Sequence, residues 1–213
     1  SIHKIAKYIK NSYAGPLFMK EILSINMVLN NKKNPTTCII GGSKISTKLG
    51  VIISLIKKVD HLIIVGAMAN NFIKFKGNKI GKSLIEVGSE KIIKEIYKSA
   101  DKNNCKIITP SDFAVSETTD GKANFKDLVN VKDNEIILDI GPQTIERINK
   151  IIDISKTVLW NGPAGYFENR NFSNGTISIA KKISDNTNKH SLISIVGGGD
   201  TISAIKNNAL DLN

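Results

Sequence analysis

Thr36-Thr37-Cys38-Ile39-Ile40-Gly41-Gly42-Ser43-Lys44-Ile45-Ser46-Thr47-Lys48 decides the fold, because a β-branched apolar run ends there at two glycines and a helix begins with two lysines four apart. A run without polar alternation suits a strand buried on both faces, as in a parallel sheet. Glycines let the chain turn sharply and let a ligand approach the backbone. Lys44 and Lys48, one helical turn apart, would share a face near the positive end of the helix. That geometry suits a polyphosphate, although an ordinary turn with two solvated lysines has the same residues. It is not a Walker A loop, which places Lys and Ser/Thr together after the second glycine.

Outward from this stretch, short apolar runs recur at residues 61–65, 105–109, 135–139, Thr157–Asn161 and 192–196. Between them the spacing turns helical, with Leu49, Ile52, Ile53 and Ile56 in one segment. Ile92, Ile93, Ile96 and Ala100 follow the Ser89-Glu90 start of another. The alternation predicts right-handed βαβ units in a single α/β domain with a doubly wound, Rossmann-like parallel sheet, all six runs included. A further helix is expected over residues 17–29, with Phe18, Ile22, Ile25 and Leu29 on one face. From 116 to 134 the chain is polar and irregular, with a turn at Asp120-Gly121; strand and helix resume at once, so this reads as an excursion within the domain.

With 213 residues of which 41% are hydrophobic, the chain can bury a sizeable core. It has no apolar run of the roughly 18 residues a membrane span needs, and Ser1-Ile2-His3-Lys4 is no signal peptide. A cytoplasmic protein without membrane partners is therefore expected, and the serine start implies a natural beginning elsewhere. Cys38 and Cys105 sit in apolar runs and read as reduced core residues. His3, His61 and His190 stand apart from each other and from every motif. The net charge of +11 is almost all lysine, Arg147 and Arg170 being the only arginines. Without aromatic interleaving it reads as solvated helix surface, and no nucleic-acid partner is expected.

Two more strand ends carry glycine. Ile195-Val196-Gly197-Gly198-Gly199-Asp200-Thr201 turns from strand to helix, exposing backbone N–H groups to an anion that the helix dipole favours. Asp200 either caps that helix or, beside phosphates, needs a cation such as Mg²⁺ between. Trp160-Asn161-Gly162-Pro163-Ala164-Gly165-Tyr166-Phe167-Glu168 is a stiff loop that either packs as a tight turn or holds Asn161 and Glu168 against a sugar hydroxyl or phosphate. No Ser-His-Asp order, paired glycosidase carboxylates or histidine-carboxylate cluster accompanies them. A dinucleotide-dependent dehydrogenase is excluded because no Gly-x-Gly-x-x-Gly with a later acidic residue follows a strand. Positive charge, backbone donors and one acid are the parts of a phosphoryl-transfer site.

The residues at 41–48, 159–168 and 197–201, in that order, resemble phosphoglycerate kinase. So do Tyr13-Ala14-Gly15, Asn70-Asn71-Phe72, Gly81-Lys82-Ser83-Leu84, Pro110-Ser111-Asp112 and Leu138-Asp139-Ile140-Gly141-Pro142 between them, so the resemblance covers nearly the whole chain. It implies a glycolytic phosphotransferase, usually monomeric, exchanging a phosphoryl group between 1,3-bisphosphoglycerate and ADP to give ATP and 3-phosphoglycerate. Residues 1–213 would be the C-terminal nucleotide-binding domain. By resemblance, Gly42, Ser43, Lys44 and Lys48 would meet the nucleotide phosphates, Lys48 reaching the transferring group. Gly66, Ala67 and Leu138 would border the adenine, and Asn161, Pro163 and Glu168 the ribose and phosphates. Gly197, Gly198 and Gly199 would offer backbone donors in the transition state, and Asp200 would hold Mg²⁺ beside Thr201.

The sequence departs from the family at Val65-Gly66-Ala67, where three glycines are usual. Added carbons there would narrow the adenine slot, weakening nucleotide binding by about 1–3 kcal/mol. The family's triose-gripping N-terminal domain and its late Ser/Thr-Gly-Gly-Gly segment are not matched, so truncation at both ends is expected. A chain so placed turns over little substrate alone, and a non-catalytic nucleotide-binding remnant is the alternative reading.

Overall fold

The computed structural model describes residues 32–189 and 191–207, so the helix expected over 17–29, His3 and His190 lie outside it. In chain order the elements are β1 (Thr36–Ile40), a 3-10 turn (Ser46–Lys48) running into α1 (Leu49–Ile56), β2 (His61–Ile64), α2 (Ala67–Phe75), α3 (Glu90–Lys102) and β3 (Lys106–Ile108). Then come β4 (Asp112–Ser116), β5 (Asn124–Asp127), β6 (Ile136–Ile140), α4 (Pro142–Ile154), β7 (Thr157–Asn161), α5 (Asn174–Asn188), β8 (Ile193–Gly197) and α6 (Gly199–Asn207).

Five strands form a parallel sheet in the order β3-β2-β1-β7-β8. Every residue of β1 is buried, as its unbroken apolar run requires of a central strand with helices on both faces. Ile39, Ile63, Val158 and Trp160 form a core with Ile145, Ile148 and Ile152 of α4 and Ile179 and Ile183 of α5, residues recurring every three or four positions. From β1 the chain winds outward through β2 to β3, then returns to lay β7 on the other side of β1. The order reverses between β1 and β7, and the crevice beyond their carboxyl ends is where such sheets bind ligands.

The run at 135–139 is indeed a strand, shifted by one residue, but it does not join the parallel sheet. It is β6, paired antiparallel with β4, which pairs antiparallel with β5 in a separate three-stranded sheet ordered β5-β4-β6. A parallel neighbour of β3 needs a crossover of a dozen or more residues, and only residues 109–111 separate β3 from β4, so β4 starts a new sheet and β6 pairs with it. The polar segment at 116–134 hides β5, whose residues are mostly exposed because it is the edge of that small sheet. Buried Asp112 fastens the two parts together: its carboxylate accepts the N–H groups of Gln143 and Thr144 at 2.9 and 2.7 Å, and so caps α4 from outside. Pro142 at the start of that helix has no N–H to lose.

Cys38 and Cys105 are free and buried, and burial pushes their thiols up to about 12 and about 11. Among the described residues no helix is long and apolar enough to cross a membrane.

Candidate functional site

Three glycine-bearing strand ends meet at the reversal point. The Gly41 N–H donates to the Asn161 carbonyl at 2.8 Å, and Gly66 donates to Ala164 at 3.1 Å. A Cβ on Gly41 would strike the Pro163 and Gly162 carbonyls. One on Gly66, which stands at φ +66°, would lie 2.9 Å from the Gly42 nitrogen. The glycines therefore let backbone pack on backbone, and the walls of the crevice are main chain.

Lys48 reaches across these tips. Its ammonium donates to the Gly41 carbonyl at 2.7 Å and to the Asn161 carboxamide oxygen at 3.1 Å, both at the β1–β7 boundary. Burial lowers its pKa from the ordinary lysine value, while the charge of Asp200 pulls the other way. Asp200 stands in the first turn of α6, so the acid, the amine and the helix N-terminus share one neighbourhood. Of the preceding glycines, Gly197 pairs with Asn161 across the sheet and Gly198 takes φ +94°, a conformation side chains resist. Gly199 opens α6 with nothing within 4 Å of where a Cβ would stand.

A cleft of about 370 Å³ opens beside them. Gly42, Ser43, Gly66 and Ala67 line it on the parallel-sheet side, with Pro163, Glu168 and Asp200; Leu138 lines it from β6. These expected residues come together, Lys48 and Asn161 adjoin them through the contacts above, and Gly198 stands beside the Asn161 side chain.

At three positions the geometry differs from what the sequence spacing suggested. Lys44 is exposed, does not line the cleft, and lies beside Glu86. The one-turn spacing fails because the turn at 46–48 is 3-10 and the α-helix starts only at Leu49, so Lys44 precedes any helical face. Thr201 is fully buried, and its hydroxyl accepts the Gly162 N–H at 2.7 Å, fastening α6 to the 162–168 loop. Val65 belongs to the core with Ile39, Ile63 and Trp160 and leaves the cleft untouched; of the two departures from a triple glycine only Ala67 lines it.

Sequence reasoning missed the contribution of the small sheet. Ile136, Phe113 of β4 and Thr119 join the expected Leu138 in lining the cleft, which gives it an apolar wall beside the glycines. It also missed Asp139, which lines the cleft and is 2% exposed. Its two oxygens accept the N–H groups of Ile140 and Gly175, each at 2.8 Å. Burial pushes its carboxyl up to about 7 against the pull of those two bonds. An acid inside an apolar strand run, followed later by a glycine at a helix start, was the only available signal.

A family model described as "Phosphoglycerate kinase" matches residues 1–212. The phosphoglycerate kinase of Wolbachia sp. subsp. Brugia malayi is 44% identical over 206 residues, which cover 96% of this chain and 51% of that protein. That of Orientia tsutsugamushi (strain Boryong) is 45% identical over 198 residues, covering 92% and 49%. Among solved structures, the phosphoglycerate kinase from Coxiella burnetii superposes with a TM-score of 0.85 at 38% identity, covering 97% of this chain and 53% of that one. The one from Pyrococcus horikoshii gives 0.74 at 28% identity, covering 92% and 49%. The chain thus spans about half the length of the relatives it matches.

Proposed function

Because the chain belongs to the phosphoglycerate kinase family, we propose that residues 1–213 form its nucleotide-binding domain, holding Mg-ADP or Mg-ATP for phosphoryl exchange with 1,3-bisphosphoglycerate in cytoplasmic glycolysis. The observation that carries this reading is the meeting of the Lys48 ammonium, Asp200 and the N-terminus of α6 at one end of a cleft whose other walls are apolar.

The chemistry asks for such an arrangement. In phosphoryl transfer, charge spreads over the oxygens of the moving group, and catalysis consists mainly of placing donors where that charge develops. Two of the three N–H bonds of Lys48 are spent on Gly41 and Asn161, which fixes the ammonium and leaves one for a phosphate oxygen. The first N–H groups of α6, behind Gly197, Gly198 and Gly199, have no partner within the helix and add further donors. Ser43 and Gly42 flank the same position, and Glu168 with Pro163 and Asn161 lies toward the sugar. Gly66, Ala67 and Leu138 would clasp the base.

The donor set fits a magnesium ion. Among the described residues no group of three or more His, Cys, Asp or Glu could hold a metal. Mg²⁺ is commonly bound by one or two carboxylates plus the phosphates of its nucleotide, and Asp200 is such a lone carboxylate. When bound, the ion neutralises charge between the phosphates.

A second reading, nucleotide binding without turnover, is favoured for the isolated chain by its half-length match to its relatives. Holding both reactants in line is worth about 7–11 kcal/mol of barrier, and the triose grip belongs to the family's other domain. The test is a thermal melt of the 213-residue chain with and without Mg-ADP, together with a coupled kinase assay. A ligand that binds only the folded state must raise the midpoint. An unmoved midpoint at millimolar Mg-ADP refutes nucleotide binding, and family-like turnover refutes the non-catalytic reading.

A further inference from the structure

We propose that Glu86 is a positioning residue for the lysine-bearing turn at 43–48, clamping Ser46 so that the cleft's phosphate end is ordered before a ligand arrives. This rests on the nucleotide reading above.

Glu86 lies in the connection between α2 and α3, remote in sequence from the turn. One carboxylate oxygen accepts the Ser46 N–H at 3.0 Å, and the other accepts the Ser46 hydroxyl. The rest of the turn is held by little else. Ile45 is buried and anchors it, but Ser43, Lys44, Ser46 and Thr47 are exposed. The Thr47 hydroxyl bonds only within the turn, to the Lys44 carbonyl at 3.0 Å. At the other end stands Gly42 at φ +110°, its carbonyl accepting the Met68 N–H at 2.7 Å. An apolar anchor sets where the turn sits; the two bonds from Glu86 set how it is oriented, and Lys48 leaves directly from it.

Glu86 is itself held from the core. Its N–H donates to the Asn71 side-chain oxygen at 2.8 Å, which also accepts the Ser89 hydroxyl at 3.3 Å. Asn71 is buried on α2, and its amide donates to the Met68 carbonyl at 3.2 Å. The adjacent Asn70 donates to the Leu84 carbonyl at 3.1 Å. The relay thus runs from two buried asparagines of α2, through residues 84–86, to Ser46. The same helix also reaches the cleft directly, because Gly66 and Ala67 open it and line the wall.

A carboxylate close to a polyanion site opposes binding on charge grounds alone, with Lys44 beside it as partial compensation. Charge and positioning therefore predict opposite signs when the charge is removed. Glu86→Gln keeps the size and one acceptor but cannot satisfy both Ser46 donors. If Glu86 acts only through the field, Mg-ADP binds more tightly to this variant. If it orders the turn, binding weakens.

The test is calorimetric titration of Mg-ADP and of adenosine into the full 213-residue chain, as wild type, Glu86→Gln, Ser46→Ala and the double variant. Loss of an orienting bond weakens Mg-ADP by roughly three- to tenfold in Glu86→Gln. Adenosine, which has no phosphates, is expected to bind wild type and variant alike, whereas a general loosening of the fold weakens both. The double variant should be no worse than Glu86→Gln, since both changes break one clamp. Tighter or unchanged Mg-ADP binding in Glu86→Gln overturns the proposal.

A second arm needs no nucleotide. The amide signal of Ser46 in an ¹⁵N-labelled chain should move as Glu86 is protonated at low pH, and should stay put over the same range in Glu86→Gln. Lys44, and Lys74, Lys94 and Glu90 around the cavity that Glu86 borders, are the other charged groups facing it. A Ser46 signal insensitive to the substitution overturns the clamp. Failure of the wild type to bind Mg-ADP, with that signal titrating as expected, overturns the nucleotide reading and leaves the clamp standing.

Discussion

At the tips of β1, β2 and β7 the cleft wall is main chain and charge, whereas along β4 and β6 it is apolar side chain. The first region brings Gly41, Gly66 and Gly162 into backbone contact and stretches Lys48 over them. The second presents Phe113, Ile136 and Leu138, with one nearly fully buried carboxylate, Asp139, in the same wall. On the proposed nucleotide reading, recognition would divide accordingly. A parallel sheet delivers orphan N–H groups and strand ends to one spot, which suits phosphates. A small antiparallel sheet delivers apolar side chains on one face, which suits a ring.

Asp139 is where the two regions are joined, and there the largest effect is expected. It ties β6 to the start of α5 through Gly175, and a Cβ on either Gly165 or Gly175 would collide with its carboxylate. Burial raises its carboxyl from the ordinary 3.8 to about 7. A folded-state value above the unfolded one means that stabilisation is fully present below about pH 4. It is lost as pH rises through about 7. Asp139→Asn cannot titrate, and its amide cannot accept both N–H bonds, so it carries a cost that does not vary with pH. The thermal midpoint of wild type minus that of the variant should be largest near pH 4 and shrink by several degrees toward pH 8. A difference that stays flat over this range would show that Asp139 remains ionised, and that the join is a plain helix cap.

The parallel region was legible in the sequence and the antiparallel one was not, for physical reasons visible in single residues. A strand buried on both faces writes itself as an unbroken run such as Thr36–Ile40, and the glycines after it mark a backbone approach. β5 has an exposed edge, so Asn124, Lys126 and Asp127 look like loop. β6 reads as apolar, yet periodicity does not say which sheet a strand joins. The three residues between β3 and β4, too few for a crossover, say only that β4 is no parallel neighbour of β3; that β6 follows β4 is a matter of tertiary pairing. At the site, the motif residues converge because they follow strand ends, whose position the topology dictates. The exposure of Lys44 and the burial of Thr201 were not legible, because they depend on helix type and on a hydrogen bond to a loop remote in sequence, neither of which spacing encodes.

The two lysines sharpen the comparison at the phosphate end. Lys48 is half-buried with two fixed partners, while Lys44 is exposed beside Glu86. A charged hydrogen bond in a partly desolvated place is worth about 1.5–3 kcal/mol, and an exposed charge pair about 0–1. Lys48→Met should therefore weaken Mg-ADP by roughly ten- to a hundredfold and Lys44→Met by no more than a few-fold, measured by titration calorimetry. Equal losses would mean that the turn swings on nucleotide binding and brings both amines to the phosphates.

Val65 and Ala67 test the base end with a smaller effect. Both replace glycines usual in the family, but Val65 packs against Ile39 and Ile63 while Ala67 faces the cleft at the start of α2. Val65→Gly opens a core cavity and should cost stability of about 2–4 kcal/mol without tightening nucleotide binding. Ala67→Gly removes one methyl from the slot and should improve affinity for Mg-ADP and adenosine alike by only a few-fold, at a cost of up to about 1 kcal/mol of helix stability. The shared gain matters, because a methyl that crowds the ring acts whether or not phosphates follow it. Should Ala67→Gly help Mg-ADP but not adenosine, the methyl is pressing on the phosphate end. The apolar wall built by β6 would then hold the base further from α2 than the position of Leu138 implies.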